Sequence, residues 1–246
     1  IGLSADEKWA YVCLSRNNSL GIVDLESGVL TKEVPVGVAP FDVALTADGK
    51  TAFVSNWGGR HPQSGEKTAQ SSGTDTLVDE RTVAASGTVS VVDLEQGLEI
   101  AQITTGLHPS DLELSVDQRT LYVANANSDT VSIINTKSRR VVQSVLVRPD
   151  PTLPFGSAPN ALTLDQDGKT LLVANGGNNA VAVVALAAKS KLEGFIPTAW
   201  YPGALTTDGH FLFVANVKGL GSRQPGEGGQ GWNSRRYLGT VSKIKI

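Results

Sequence analysis

The chain has 246 residues, with 21 Lys and Arg against 24 Asp and Glu and a formal charge of −3. That balance gives nucleic acid no general attractive field, and no apolar run of about 18 or more residues marks a membrane-spanning helix. The single cysteine, Cys13, excludes an internal disulfide, and a hydrophobic content of 40% is ordinary for one all-β domain of this length.

In chain order the first recognisable element is Ala10-Tyr11-Val12-Cys13-Leu14, a weak copy of a pattern that returns four times. The later copies are Ala52-Phe53-Val54-Ser55-Asn56, Leu121-Tyr122-Val123-Ala124-Asn125, Leu171-Leu172-Val173-Ala174-Asn175 and Leu212-Phe213-Val214-Ala215-Asn216. Upstream of three copies stands a second fixed element: Gly37, Pro40 and Asp48; Gly106, Pro109 and Asp117; Gly156, Pro159 and Asp167. Downstream, Gly21 to Leu25, Val89 to Leu94 and Val131 to Thr136 supply a third. The copies lie 42, 69, 50 and 41 residues apart, the long interval holding an insertion near residues 58–87. A period of roughly 40–45 residues, rich in Val, Ile and Thr and broken by frequent turns, is that of propeller blades. No stretch carries a helical apolar face over three turns.

The unit after Pro109 can be read strand by strand. Asp111 to Ser115 alternates as strand one, and Asp117-Gln118-Arg119 turns, as Asp48-Gly49-Lys50 and Asp167-Gly168-Lys169 do with better turn chemistry. Thr120 to Asn125 forms strand two, Thr130 to Asn135 strand three and Val141 to Val147 strand four. In such a blade the loops after strands two and four open on one face and those after strands one and three on the other.

These motifs resemble the YVTN-repeat propellers, the surface-layer and YncE-like family of bacterial and archaeal proteins, over essentially the whole chain. The resemblance rests on Tyr122-Val123-Ala124-Asn125, the Gly-x-x-Pro element, the Asp-Gly-Lys turn and the Val-x-Val-Val/Ile-Asp strand. A narrower likeness, in Phe195 to Pro202 and Val214 to Ser222, is to the propeller half of two-part proteins in which an alkaline-phosphatase-like phosphoesterase domain follows. Its metal ligands would then lie beyond residue 246. Here Pro202 precedes Asp208 by 6 residues instead of 8, so the first strand of the last blade is expected to be short or irregular.

The expectation is a single all-β domain over 1–246, a β-propeller of four-stranded antiparallel blades, about five of them present. Three strands in the first unit, four in each of three units and three in the last make about 18. The resemblance implies seven blades, so the chain is expected to be a fragment. It would form either an open arc, which the missing strands favour, or an imperfectly closed ring of about five blades; exposed edges would promote association. The middle blade, 109–147, should be the best ordered.

Function is expected on the face of the loops after strands two and four. Two insertions follow strand two there, 57–87 and 217–238, and the turns after strand four add His108, Phe155, Ser157, Trp200 and Tyr201. The candidate ligand-binding residues are Trp57, Arg60, His61, His108, Trp200, Tyr201, Lys218, Arg223, Trp232 and Arg236. Aromatic rings and arginines gathered in loops suit an anionic small molecule or an acidic protein partner. Plainer roles compete. Trp200 and Tyr201 sit where an aromatic commonly plugs the gap between blades, and nothing in the sequence marks a partner for His108. His210 belongs to the opposite, solvated face. Asp75, Asp79 and Glu80 match no calcium loop and read as part of a disordered, solvated insertion. Cys13 reads as a small buried strand residue, and Asn17-Asn18-Ser19 as turn chemistry rather than a glycosylation site. The recurring Asn56, Asn125, Asn175 and Asn216 read as backbone-satisfying.

No nucleophile elbow, Cys-x-x-Cys, His pair or phosphate loop occurs. The reading is a non-catalytic binding or scaffolding module without catalytic residues, metal or cofactor. By resemblance it belongs to an extracytoplasmic (periplasmic, secreted or cell-surface) bacterial protein, with a C-terminal phosphoesterase domain as a further expected partner. The alternative is a lactonase-like propeller hydrolase using Arg60, His61, His108 and Asp111.

Overall fold

A computed structural model of the chain describes residues 1–71, 73–220 and 238–246. They form two compact units, Ile1–Ser144 and Val145–Ile246, built from antiparallel sheets. In the first unit β1 (Gly2–Leu3), β2 (Trp9–Leu14), β3 (Ser19–Asp24) and β4 (Val29–Pro35) pair in chain order. The second sheet holds β5 (Val38–Leu45), β6 (Thr51–Gly59), β9 (Thr88–Asp93) and β10 (Leu98–Thr104). Between β6 and β9 stands a separate hairpin, β7 (Thr68–Ser71) with β8 (Thr74–Leu77). The third comprises β11 (Pro109–Leu114), β12 (Thr120–Asn125), β13 (Thr130–Asn135) and β14 (Arg140–Leu146). The second unit contains β15 (Pro159–Leu164), β16 (Thr170–Asn175), β17 (Ala180–Ala185) and β18 (Lys191–Pro197), then a three-stranded sheet of β19 (Pro202–Thr207), β20 (Phe211–Asn216) and β21 (Thr240–Lys245).

Both faces of the inner strands are buried, which is why they read as near-continuous apolar runs. Successive side chains of a strand point to opposite faces. Ala52 and Val54 of β6 therefore join Tyr11, Leu20, Ile22, Val34 and Val43 in one core, while the intervening Phe53 joins Val89, Val91, Leu112, Leu121 and Val123 in the next. In the second unit Leu172 and Val181 pack with Leu212 and Val214. Strand four is mostly exposed in the three sheets of the first unit, because it lies at the outer edge, and is partly buried at β18 in the second.

The recurring Pro and Asn are register partners: Pro40 faces Asn56, Pro109 faces Asn125, Pro159 faces Asn175 and Pro202 faces Asn216, each followed by a bulge. Proline suits the first residue of a strand because it has no N–H to lose from the ladder. The residue before each of these prolines is left-handed, with φ of 53° at Ala39, 56° at His108, 48° at Ala158 and 58° at Tyr201. Residues before proline normally avoid such conformations, so tertiary contacts must hold them there. One such contact is visible twice. Left-handed Asn18 and Asn179, in the turns between strands two and three, accept a hydrogen bond through Oδ1 from the N–H of Ala39 and of Tyr201, both at 2.9 Å.

Three expectations are corrected. The first sheet has four strands where three were expected, since Gly2 and Leu3 pair with Tyr11 and Ala10; two residues are too few to carry a period. The 57–87 insertion is ordered in part: β6 continues through Gly59, the β7–β8 hairpin follows, and Val78 bridges Ala84. The first strand of the last sheet is neither short nor irregular, for β19 has 6 residues like β15 and carries the same bulge after its proline. The two missing residues come out of the turn, where Asp208 to His210 does what Asp165 to Lys169 does one sheet earlier.

Candidate functional site

In the first unit the register brings three slots together: the residue after the strand-one proline, the residue after the strand-two Asn, and the left-handed residue of the following sheet. They hold Phe41, Trp57 and His108. The Phe41 and Trp57 rings stack at 4.2 Å and 15°, and His108 meets Trp57 edge-on at 4.4 Å and 60°. Phe41 stays 44% exposed, so the stack presents a ring to solvent. The indole Nε1 of Trp57 is buried and makes no hydrogen bond. Burial holds the His108 imidazole below its ordinary pKa, favouring the neutral ring. His108, read from sequence as a turn residue without a partner, thus packs on Trp57. Phe41 escaped the sequence reading, although its position directly after Pro40 was a signal, since the equivalent slots hold Ser110, Asn160 and Gly203.

The same three slots in the second unit hold Asn160, Gly176 and Tyr201. A Cβ on Gly176 would lie 2.7 Å from Asn160 Nδ2 and 3.0 Å from the Tyr201 ring, so the tyrosine rests on the bare glycine. Lys218 Nζ sits 4.8 Å from the centre of the Tyr201 ring, a cation–π contact. The backbone joins these segments too: Lys218 N–H donates to Trp200 O at 3.1 Å and Val217 N–H to Tyr201 O at 2.9 Å. Trp200 is 41% exposed. Tyr201 thus packs against the chain, while Trp200 faces solvent.

Arg60 and His61, candidates in the first insertion, have partners within the chain. Arg60 is not free for an anion, because its guanidinium forks onto Glu66, Nη1 to Oε2 at 2.8 Å and Nη2 to Oε1 at 2.5 Å. Bidentate geometry of this kind is the strong form of the pair. Arg60 together with the Gln63 N–H holds the Glu66 carboxyl down to about 2. His61 Nε2 lies 2.9 Å from Val36 O. The insertion acids are engaged: Asp79 with Arg81, Glu80 with Lys67 and Asp75 with Gln70. Lys67 and Glu80 stand 13 residues apart, a pairing that no sequence pattern shows. Arg223, Trp232 and Arg236 lie outside the described residues, as does most of the 217–238 insertion. Among the described residues no three His, Cys, Asp or Glu side chains gather closely enough to hold a metal ion.

The repeated asparagines have one half explained. Asn125 Nδ2 donates to Thr130 Oγ1 at 3.1 Å and Ser132 Oγ at 2.9 Å, tying strand two to strand three, and Asn56 and Asn216 do the same with Thr88 and Ser90, Thr240 and Ser242. Each Oδ1, that of Asn175 included, is buried without a partner.

No protein-family model matches the chain, and no curated protein does. Among solved structures, hydrazine synthase of Kuenenia stuttgartiensis superposes with a TM-score of 0.68 at 23% identity, over 99% of this chain. The chain spans 61% of the length of that protein's chain. At this identity the likeness speaks for architecture alone, and together with the repeated antiparallel sheets it shows a β-propeller fold.

Proposed function

We propose that this chain is a non-catalytic binding module that takes a ligand or partner on the face formed by the loops after strands two and four. The observation that carries the reading is the Phe41–Trp57–His108 stack. It is an uncharged, rigid aromatic patch open to solvent at Phe41, and it is made where a strand-two end meets the turn after a strand four. Large rings with few rotatable bonds give contact area at small entropic cost, which is why they dominate recognition surfaces. Placement outside the cytoplasm and a following phosphoesterase domain follow from the sequence resemblance.

The hydrolase alternative asks for converging titratable groups. Arg60 is occupied by Glu66, and His61 spends Nε2 on a backbone carbonyl. The test is a titration of the whole chain with indole-3-acetate and with a γ-lactone, with and without a chelator. Indole-3-acetate should bind without turnover and lose affinity on Trp57→Ala. Chelator-sensitive lactone hydrolysis that disappears on His108→Ala would reject the binding reading.

A further inference from the structure

A cleft elsewhere in the first unit has different chemistry. The β7–β8 hairpin approaches the turn between β2 and β3 through Asn18 and Thr74, and between them lies an open cleft of about 480 Å³ lined by Arg16, Asn18, His61, Pro62, Gly73, Thr74 and Asp75. That volume falls within the roughly 300–1,000 Å³ of small-molecule sites. Unlike the aromatic stack, its lining is almost wholly polar.

The floor of the cleft is fixed. Asn18 is held three ways: its carbonyl accepts the Val36 N–H at 2.9 Å, its Oδ1 accepts the Ala39 N–H at 2.9 Å, and its Nδ2 reaches Thr74 Oγ1 at 3.5 Å. Val36 in turn orients His61. A carbonyl oxygen only accepts, so the 2.9 Å contact from His61 Nε2 to Val36 O places the proton on Nε2 and leaves Nδ1 as an acceptor in the neutral ring. Asp75 is steadied by Gln70 Nε2 on one carboxylate oxygen, at 2.5 Å. Arg16 is exposed and has no carboxylate partner among the described residues. The cleft therefore pairs one unspent guanidinium with two acceptors, His61 Nδ1 and the Asp75 carboxylate.

We propose that this cleft binds a small carboxylate that also carries hydroxyl groups, such as a sugar acid. Arg16 takes the carboxylate in a fork, the geometry for which guanidinium is suited. Asp75 and His61 accept from the hydroxyls, and Asn18 and Thr74 donate to them. A carboxylate lacking hydroxyls would leave Asp75 facing a like charge, and a neutral polyol would leave Arg16 unused; both should bind worse. The site uses neither Trp57 nor His108, so it stands or falls separately from the aromatic patch.

Calorimetric titration of the whole chain with D-glucuronate, D-glucose and acetate tests this. Glucuronate should bind, with glucose and acetate weaker by about tenfold or more, the scale of one charge-assisted hydrogen-bond pair. Arg16→Gln and Asp75→Asn should each weaken glucuronate by about tenfold or more, while the exposed Lys8→Gln leaves it unchanged. Arg16 is exposed, and an unaltered circular dichroism spectrum will show that its variant folds. The proposal is overturned if glucuronate does not bind, if acetate or glucose binds as well, or if Arg16→Gln binds like the parent.

Discussion

Trp57→Ala removes the middle ring of the Phe41–Trp57–His108 stack and should show in stability and in titration at once. A fully buried Trp→Ala change costs roughly 3–5 kcal/mol. Trp57 is half-buried and its stacked neighbour Phe41 is 44% exposed, so the transfer part is smaller. Two ring contacts, at 4.2 and 4.4 Å, are lost with it, at about 0.5–1.5 kcal/mol each. The expected loss is about 2–3 kcal/mol, or roughly 4–12 °C in Tm for a chain of this size. The second effect is on His108, whose pKa is lowered by burial alone. In the parent a depressed histidine pKa means that the unfolded state takes the proton more readily. Stability is therefore complete above about pH 6.5 and lost as pH falls through the window below it. Without the indole, water reaches the imidazole, its pKa rises toward the ordinary value, and that acid-side loss shrinks. Urea unfolding and an NMR titration of the His108 Cε1–H in parent and variant measure both, with Trp57→Phe as the conservative control. A variant that unfolds within about 0.5 kcal/mol of the parent and leaves the His108 titration in place would refute the packing argument.

Glu66, held down to about 2 by Arg60, should stabilise the start of the insertion fully above about pH 4.5 and lose that effect as pH falls toward 2. The protection factor of the Gln63 amide, which donates to Glu66 Oε2 at 2.7 Å, reports this, and Glu66→Gln should abolish the dependence. Gly177→Ala would set its Cβ 1.9 Å from the Gly156 carbonyl oxygen, so backbone must move and the cost should exceed about 3 kcal/mol in thermal unfolding. Gly194→Ala, with nothing within 4 Å, should stay within about 0.5 kcal/mol, and equal effects at the two sites would contradict the packing described. Burial pushes the Cys13 thiol up to about 12, so the native protein at pH 8 should resist iodoacetamide and react only on unfolding. Native alkylation at the rate of a free thiol would show that strand β2 is open.

Strand order and phase were legible in the sequence because they depend on local patterns. The Thr120–Asn125 and Thr130–Asn135 strands have the boundaries read from alternation and turn residues, and strand four is displaced by one residue. The repeat period of Pro109 and Asn125 became their pairing across the first hairpin of the sheet. What the sequence left open depends on contacts between distant segments. Phe41 and Trp57 lie on paired strands of one sheet, but His108 reaches them only once the next sheet stacks, because a strand's neighbours on its faces come from other blades and no linear pattern names them. The same holds for Asn18, which steadies Ala39 across a turn, and for Arg60, whose charge reads as free until the chain turns back through Glu66. Gly2 and Leu3 form a strand solely because β2 offers them an edge, and the two residues absent after β19 left the turn rather than the strand because the Pro202–Asn216 pairing and the Leu212 core hold β19 at full length. Local chemistry thus determined which segments become strands, and packing between sheets decided which side chains face one another, since burial and pairing are properties of the assembled blades.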